Sequence, residues 1–291
     1  MVFKLGNKRS KKKIFLTLSL LLVLILLAFA VSFKIYTSNY YATDSSIVTD
    51  IKWQVRDRVV SYSDADATVF LPTNQKDKAV IVFYPGGKVE FSAYGGLMYT
   101  LAAKGYICVI PRMPENLAFL KIEAVDEIRK NYAEDITTVG DIDWYLAGHS
   151  LGGVAAARYL AEQAAAGNVS SGDSEGAGVA ENGKGGSEGS PEVGGFKGLI
   201  LCASYPADDL SELGISLLSI RGSNDGVLNL NKYEKNKKFW PSHAEEKVID
   251  GGIHSFFGCY GIQKGDGEPD ITNVQQLETT AEMIDEWITG E

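Results

Sequence analysis

The sequence predicts an α/β fold, with a mostly parallel central sheet covered by helices on both faces, behind one N-terminal transmembrane helix. Two observations carry this prediction. Downstream of residue 56, short apolar runs alternate with longer helix-forming stretches, which is the pattern of a parallel sheet buried between helices. Near the start, residues 14–33 contain no charge and are long enough to cross a bilayer as a helix.

Residues 1–13 and 14–33 are predicted to form a cytoplasmic basic segment and a transmembrane anchor. Six lysines and arginines and no acid precede the apolar run, so the positive-inside rule leaves the N-terminus in the cytoplasm. Residues 34–49 are polar and contain tyrosines, and we expect them to form a stalk. A cleaved signal peptide, giving a secreted form, is the alternative, because Ala28-Phe29-Ala30 resembles a cleavage site. The apolar run is longer than usual for such peptides, which favours a single-pass protein of the cell membrane with its larger part outside the cytoplasm.

Residues 50–291 are long enough for one α/β domain with a large core. Removing the six N-terminal basic residues from the formal net charge of −9 leaves −15 for the rest of the chain. Such an acidic surface excludes nucleic acid as a partner and disfavours docking on anionic lipid headgroups. The three cysteines show neither a disulfide framework nor metal-ligand spacing, so we expect no metal and no other cofactor.

Periodicity predicts eight strands and five helices in this region. The strands are predicted near residues 57–62, 66–71, 78–84, 105–111, 143–148, 198–204, 215–221 and 245–250. The helices are predicted near residues 93–104, 121–133, 151–166, 228–237 and 274–289. Between residues 167 and 195 the composition changes to glycine, serine, glutamate and alanine, with almost nothing to bury. We interpret this stretch as a flexible insertion.

The most informative motif is Gly-His-Ser-Leu-Gly at residues 148–152. A strand-like run precedes it and a strong helix former follows it. This context is typical of a nucleophile elbow, in which nearly side-chain-free neighbours allow a sharp turn that lifts the serine hydroxyl clear of the sheet. The N–H groups at the start of the following helix then face any oxyanion formed there. We therefore predict that Ser150 is a catalytic nucleophile.

A nucleophilic serine needs a base, and the chain contains three histidines. His149 directly precedes the serine and cannot easily fold back onto its hydroxyl, so we expect it to pack or line a pocket. His243 lies in a polar loop before a strand, which indicates a surface residue. His254 follows a strand and lies in a glycine-flanked loop that can carry an imidazole over the sheet edge. We therefore predict His254 as the base.

The acid that orients the base is predicted from chain order, which in such sites runs serine, acid, histidine. Asp225 follows the strand before that of His254, in a Ser-Asn-Asp-Gly loop. Turn formation alone also favours Asn-Asp-Gly. Asp208 and Asp209 follow the preceding strand and are the alternatives. With Asp225 as the acid, His254 takes the proton of Ser150, and an acyl-enzyme forms and is hydrolysed.

An oxyanion hole in such a site needs two backbone donors. The N–H of Leu151, directly after the nucleophile, is the first predicted donor. The second is expected in the loop after the strand at 78–84, where paired glycines permit close approach of the backbone to a ligand. Gly87 and Lys88 are both candidates for this second donor.

Several motifs occur together in this chain. They are Tyr-Pro-Gly-Gly-Lys-Val at 84–89, Val-Ile-Pro-Arg-Met-Pro at 109–114, the elbow, Gly-Ser-Asn-Asp-Gly at 222–226, His-Ser-Phe-Phe-Gly-Cys-Tyr-Gly at 254–261 and Gln-Lys-Gly-Asp-Gly at 263–267. In combination they resemble the dienelactone-hydrolase-like branch of the α/β-hydrolase superfamily, in a membrane-anchored or exported bacterial form. The resemblance covers roughly residues 76–290 and implies the α/β-hydrolase fold and the triad assigned above. Dienelactone hydrolases proper use a cysteine nucleophile where this chain has Ser150, so their substrate is not carried over.

The residues thus predict a serine hydrolase of ester or related acyl bonds. Only residues 205–214 separate the strand after the elbow helix from the next strand, too few for a cap domain. We therefore expect an open pocket that favours short acyl groups or the exposed ester of a larger molecule. An acyltransferase that uses the same acyl-enzyme, and a catalytically silent binding protein on this fold, are the alternatives.

Overall fold

The computed structural model divides the chain into two units, Met1–Tyr40 and Tyr41–Glu291. The residues that it describes are 6–73, 75–132, 136, 142–172 and 189–290. The first unit holds helix α1, Gly6–Ser38, whose stretch Lys12–Ser38 is long and apolar enough to cross a membrane. The predicted span at 14–33 lies inside this helix. Its apolar window has a mean hydropathy of 3.1, a value that both membrane anchors and signal sequences reach.

The structure corrects the stalk predicted at residues 34–49. Helix α1 continues into this segment, and helix α2, Ser45–Gln54, begins inside it. The side chain of Asp44 caps α2 at its N-terminus. Ile51 of α2 is buried, and Val48, one turn earlier, packs against the same core. Because this apolar face is short and surrounded by polar residues, the sequence pattern did not reveal it, and the second unit begins earlier than predicted.

The second unit is built on one large sheet. The described strands are β1 Val59–Ser63, β2 Ala67–Pro72, β3 Ala79–Tyr84, β4 Tyr106–Pro111, β5 Trp144–His149, β6 Val169–Gly172, β7 Gly189–Val193, β8 Gly198–Cys202, β9 Ser216–Gly222 and β10 His243–Ile249. Eight of them form a sheet in the order β1-β2-β4-β3-β5-β8-β9-β10. The pairs β1–β2 and β2–β4 are antiparallel, and the other neighbours are parallel. The prediction of a mostly parallel sheet is confirmed, and each predicted strand has a counterpart in it.

Each of the five predicted helices also has a counterpart. They are α3 Gly95–Ala102, α4 Ala124–Asn131, α5 Leu151–Ala165, α6 Leu230–Asn236 and α7 Asn273–Thr289. Short 3-10 turns lie at Phe91–Tyr94, Pro114–Asn116, Ala118–Leu120, Lys237–Phe239 and Ser255–Phe257. The ends of α7 follow directly from the sequence. Thr272 and Gln275 form a capping box at its start, and Gly290 ends it in a left-handed conformation with φ 73°.

Helices cover both faces of the sheet, and the alternation along β3 defines the two cores. Ile81 and Phe83 face the core shared with α2, α3 and α7, whereas Val80 and Val82 face the core shared with α4 and α5. All four side chains are fully buried. A strand buried on both faces is apolar along its whole length, so its sequence is a continuous apolar run. The carboxyl ends of the parallel strands meet at one edge, where the loops of the candidate site begin.

The predicted flexible insertion, residues 167–195, has ordered ends. Its first and last parts form β6 and β7, which pair as an antiparallel ribbon. Arg129 of α4 donates hydrogen bonds to the carbonyl groups of Gly194 and Gly195. The structure therefore differs from the prediction at these ends, because a backbone ladder and one arginine hold them. Residues 173–188, the middle of the insertion, lie outside the described residues.

Candidate active site

Ser150 lies at the turn between β5 and α5, in a backbone conformation that non-glycine residues rarely adopt (φ 51°, ψ −122°). Its neighbours are glycines for steric reasons. A Cβ on Gly148 would lie 2.6 Å from the carbonyl carbon of Gly152. A Cβ on Gly152 would lie 2.2 Å from the carbonyl oxygen of Tyr84. A side chain at either position would therefore collide with the backbone. This is the tight turn that the glycine spacing at 148–152 predicts.

Two hydrogen bonds from the side of β8 fix the backbone of Ser150. Its N–H donates to the carbonyl of Cys202 at 3.0 Å, and the hydroxyl of Ser204 donates to its carbonyl at 2.7 Å. A Cβ on Gly153 would lie 2.6 Å from the Ser204 hydroxyl oxygen, so this glycine leaves room for the second bond. Sequence reasoning missed Ser204, because the bond joins residues 54 positions apart.

His254 and Asp225 form a buried, hydrogen-bonded pair. Nδ1 of His254 lies 2.9 Å from Oδ2 of Asp225, and the two side chains are 2% and 1% exposed. The other carboxylate oxygen of Asp225 accepts from the N–H groups of Val227 and Leu228 at 2.9 and 2.7 Å. The acid is thus oriented by its own turn. Because Nδ1 faces Asp225, the Nε2 atom of His254 is the nitrogen left for chemistry in the cavity that it shares with Ser150.

The alternative acids lie elsewhere. Asp208 accepts a hydrogen bond from Arg158 at 2.8 Å, and Asp209 accepts one within its own turn at 3.0 Å. Of the three aspartates considered from the sequence, the structure brings Asp225 against His254. His243, predicted in a polar loop, is instead the first residue of β10, and it is exposed, in line with the predicted surface position.

The structure separates the two candidates for the second oxyanion donor. The N–H of Lys88 donates to the carbonyl of Asn116 at 2.8 Å. The N–H of Lys88 is thus already bonded, which favours Gly87 of the two candidates. Gly87 adjoins the elbow, since a Cβ on it would lie 2.6 Å from Cδ2 of Leu151. Within the described part of the chain, the N–H groups of Gly87 and Leu151 have no acceptor, which leaves both available to an oxyanion.

Tyr94 connects the oxyanion loop to the elbow. The N–H of Gly86 donates to its hydroxyl oxygen at 2.9 Å, and the same oxygen lies 2.9 Å from Nδ1 of His149. The Tyr94 hydroxyl therefore bonds both the oxyanion loop and the residue before Ser150. Burial and the neighbouring His254 lower the pKa of His149 well below its usual value, so this ring stays neutral. Sequence reasoning assigned His149 to packing but gave no signal for its partner Tyr94.

Tyr41, the first residue of the second unit, is hydrogen-bonded to the same loop. Its N–H donates to the carbonyl of Lys88 at 2.8 Å, and its carbonyl accepts from the N–H of Glu90 at 2.9 Å. Its hydroxyl accepts from the N–H of Lys264 at 3.1 Å, in the loop beyond His254. One residue, which falls in the predicted stalk, therefore joins the oxyanion loop to the histidine loop.

A cavity of about 180 Å³ adjoins the nucleophile. It is lined by Ser150, Leu151, Val154, Ala203, Ser204, Tyr205, Val227, Leu228, Asn229 and His254. A larger cavity of about 480 Å³ lies beside Arg129 and Gly194, and the described residues that line it include no serine, cysteine or histidine. The smaller cavity is therefore the candidate active-site cavity.

The cysteines of the second unit offer no competing nucleophile. Cys108, Cys202 and Cys259 are buried and form no disulfide. Burial raises the pKa of each thiol, so all three stay protonated at neutral pH. Among the described residues, no group of three or more His, Cys, Asp or Glu side chains is arranged to hold a metal ion.

We predict that Tyr94→Phe lowers the free energy of unfolding by about 1–3 kcal/mol, because it leaves the buried Gly86 N–H and the His149 ring without a partner. Tyr99→Phe is the matched control. The Tyr99 hydroxyl bonds that of Ser61 at 2.6 Å, and the half-buried Ser61 can turn to water when the bond is lost. Urea unfolding of the full chain in detergent should show the clearly larger loss for Tyr94→Phe. Equal losses would contradict the buried network.

Comparison with known proteins agrees with this architecture. A family model described as the alpha/beta hydrolase family matches residues 80–171 and 171–278. The matched segments run from β3 through the elbow to α7 and include Ser150, Asp225 and His254. No curated protein matches the chain. With well over half of its length matched, the chain belongs to the alpha/beta hydrolase family.

Proposed function

We propose that the protein is a serine hydrolase that cleaves ester or related acyl bonds. The observation that carries the proposal is the buried pair of Asp225 and His254, 2.9 Å apart, of which His254 lines the same cavity as the elbow Ser150. Membership of the alpha/beta hydrolase family supports hydrolase chemistry in general. The motifs at 84–89 and 254–261 further support a place in the dienelactone-hydrolase-like branch, with serine in place of the cysteine of its namesakes.

In the proposed mechanism, His254 removes the proton of Ser150 while the serine Oγ attacks the acyl carbonyl. Asp225 accepts the Nδ1–H of His254, which keeps Nε2 as the base and stabilises the imidazolium. The N–H groups of Leu151 and Gly87 donate to the oxyanion. His254 then protonates the leaving alcohol. Water repeats the sequence on the acyl-enzyme, which releases the acid and restores Ser150.

We predict that Ser150→Ala, His254→Ala and Asp225→Ala each lower kcat/KM for a simple ester by about 10³-fold or more. Because the three groups act as a unit, the Ser150→Ala/His254→Ala double variant should be little worse than either single variant. A fluorophosphonate should label the wild type and not Ser150→Ala. Asp208→Ala is the control that keeps its activity.

Two results would count against this assignment. Activity kept in Asp225→Ala but lost in Asp208→Ala would show that the acid is misassigned. If the fluorophosphonate does not label the wild type, the proposed enzymatic activity is wrong. The hypothesis of a binding protein on the hydrolase fold then remains. Analysis of the products formed with an added alcohol separates hydrolysis from acyl transfer, since transfer yields a new ester instead of the free acid.

The cavity supports a preference for short acyl groups. Its volume of about 180 Å³ is below the roughly 300–1,000 Å³ of typical small-molecule sites. Val154, Val227 and Leu228 supply its apolar lining. The connection between β8 and β9 spans residues 203–215, too few for a cap domain that would extend the cavity. A longer acyl chain must therefore leave the cavity and lie in solvent.

We predict that kcat/KM in a series of p-nitrophenyl esters peaks at about two to four acyl carbons, since each buried methylene is worth about 0.8 kcal/mol and longer chains gain no further burial. Leu228→Ala enlarges the cavity and should move the optimum to longer chains. The matched substitution Leu230→Ala changes an exposed leucine outside the cavity lining and should not move it. An optimum at long fatty acyl esters in the wild type would overturn the short-chain proposal.

We further propose that α1 anchors the protein in the cell membrane, with its N-terminus in the cytoplasm and the second unit outside. The apolar stretch Lys12–Ser38 and the basic cluster before it support this topology. We predict that the native protein stays with membranes in carbonate and that added protease reaches the second unit. Leu22→Arg with Leu26→Arg should release it, because each central arginine costs about 2.5–3.5 kcal/mol of insertion. A soluble mature chain that begins near Val31 would instead reveal a cleaved signal peptide.

A further inference from the structure

Asp266 connects the loop of the proposed acid to the loop of the proposed base. Its Oδ1 accepts from the N–H of Gly226 at 3.1 Å and from the N–H of His254 at 3.2 Å. Its Oδ2 accepts from the N–H and the hydroxyl of Ser255 at 2.7 and 2.5 Å. Gly226 directly follows Asp225, so one carboxylate binds the backbone beside both members of the buried pair.

The backbone of the Asp266 loop lies in direct contact with the loop of the acid. A Cβ on Gly226 would lie 2.7 Å from the carbonyl oxygen of Gly265. A Cβ on Gly267 would lie 1.8 Å from the carbonyl oxygen of Asn224. His254 and Ser255 are buried, so their N–H groups need an acceptor, because a buried and unpaired donor is costly. The Asp266 carboxylate is that acceptor.

Only a carboxylate satisfies this set of donors. Both oxygens of Asp266 accept from N–H or O–H groups. An asparagine has only one side-chain oxygen, so in either orientation of its amide the NH₂ group would face another donor. Burial opposes ionisation of Asp266, but hydrogen bonds from Ser255, Gly226 and Gly267 outweigh it and lower the pKa of the carboxyl group below its ordinary value. Asp266 is therefore an anion at neutral pH.

We propose that Asp266 is a positioning residue. By binding the backbone of both loops, it fixes the position of the Asp225 side chain relative to that of His254. This inference rests on the proposed function. Asp266 does not line the cavity at Ser150, so its effect on the reaction passes through the acid and base pair. Substitution at this position should consequently change the rate of the chemical step and leave substrate binding nearly unaltered.

The test compares three variants of the full chain, assayed below the unfolding transition. Asp266→Asn should lower kcat by about 10- to 100-fold with KM nearly unchanged, because a displacement of about 1 Å at a reacting group can cost 10²-fold. Asp266→Glu keeps the charge and should recover part of the lost kcat. Asp270→Asn is the matched control in the same loop. Oδ2 of Asp270 accepts from the side-chain amide of Asn224 at 2.8 Å, a bond that an amide oxygen also accepts, so kcat should stay at the wild-type value.

An unchanged kcat in Asp266→Asn overturns the proposal, and so does a loss that merely follows the unfolded fraction measured by circular dichroism. If Asp266→Asn does not fold, Ser255→Ala decides, because it removes one bond to Asp266. This variant should fold with a reduced kcat, and a wild-type kcat overturns the proposal. Fluorophosphonate labelling keeps the two questions apart. An unlabelled wild type overturns the proposed function, whereas a labelled wild type with unaffected Asp266 variants overturns only the role of Asp266.

Discussion

The candidate site depends on one strained backbone position. The conformation of Ser150, with φ 51°, is of a kind that costs on the order of 1–3 kcal/mol and persists only where the surroundings enforce it. Here they act from two sides. Gly152 packs on the carbonyl of Tyr84 with no room for a Cβ, while the carbonyl of Cys202 and the hydroxyl of Ser204 bind the serine backbone. The position of the hydroxyl therefore follows from the packing of three neighbouring parallel strands.

The other groups of the site lie on loops, and a bond to a residue distant in the chain holds each loop. Tyr41 joins the oxyanion loop to the segment beyond His254, and Tyr94 joins the oxyanion loop to the elbow. Asp266 joins the loops of Asp225 and His254. Loops are ordinarily the most mobile parts of such a fold. Cross-bonds between them hold together the three loops that carry Gly87, Asp225 and His254.

The sequence predicts what is local or follows from chain order. The elbow follows from glycine spacing between a strand and a helix, and His254 and Asp225 follow because successive parallel strands deliver their loops to the same edge. What the sequence does not predict is decided by contacts between distant segments. The structure, and not the sequence, reveals that the N–H of Lys88 is already bonded to the carbonyl of Asn116, which favours Gly87 as the donor. Helix α2 was not predicted, because its short apolar face packs on a core of residues that are distant in the sequence.

Two neighbouring imidazoles with different partners complete the electrostatics of the site. The rings of His149 and His254 lie 4.5 Å apart between centroids. Nδ1 of His254 faces the carboxylate of Asp225, whereas Nδ1 of His149 faces the neutral hydroxyl of Tyr94. A positive charge on one ring disfavours a positive charge on the other. The pKa of His149 is lowered mainly by burial and further by the neighbouring His254. In the proposed mechanism the proton taken from the serine therefore remains on His254, and His149 supports the elbow as a neutral ring.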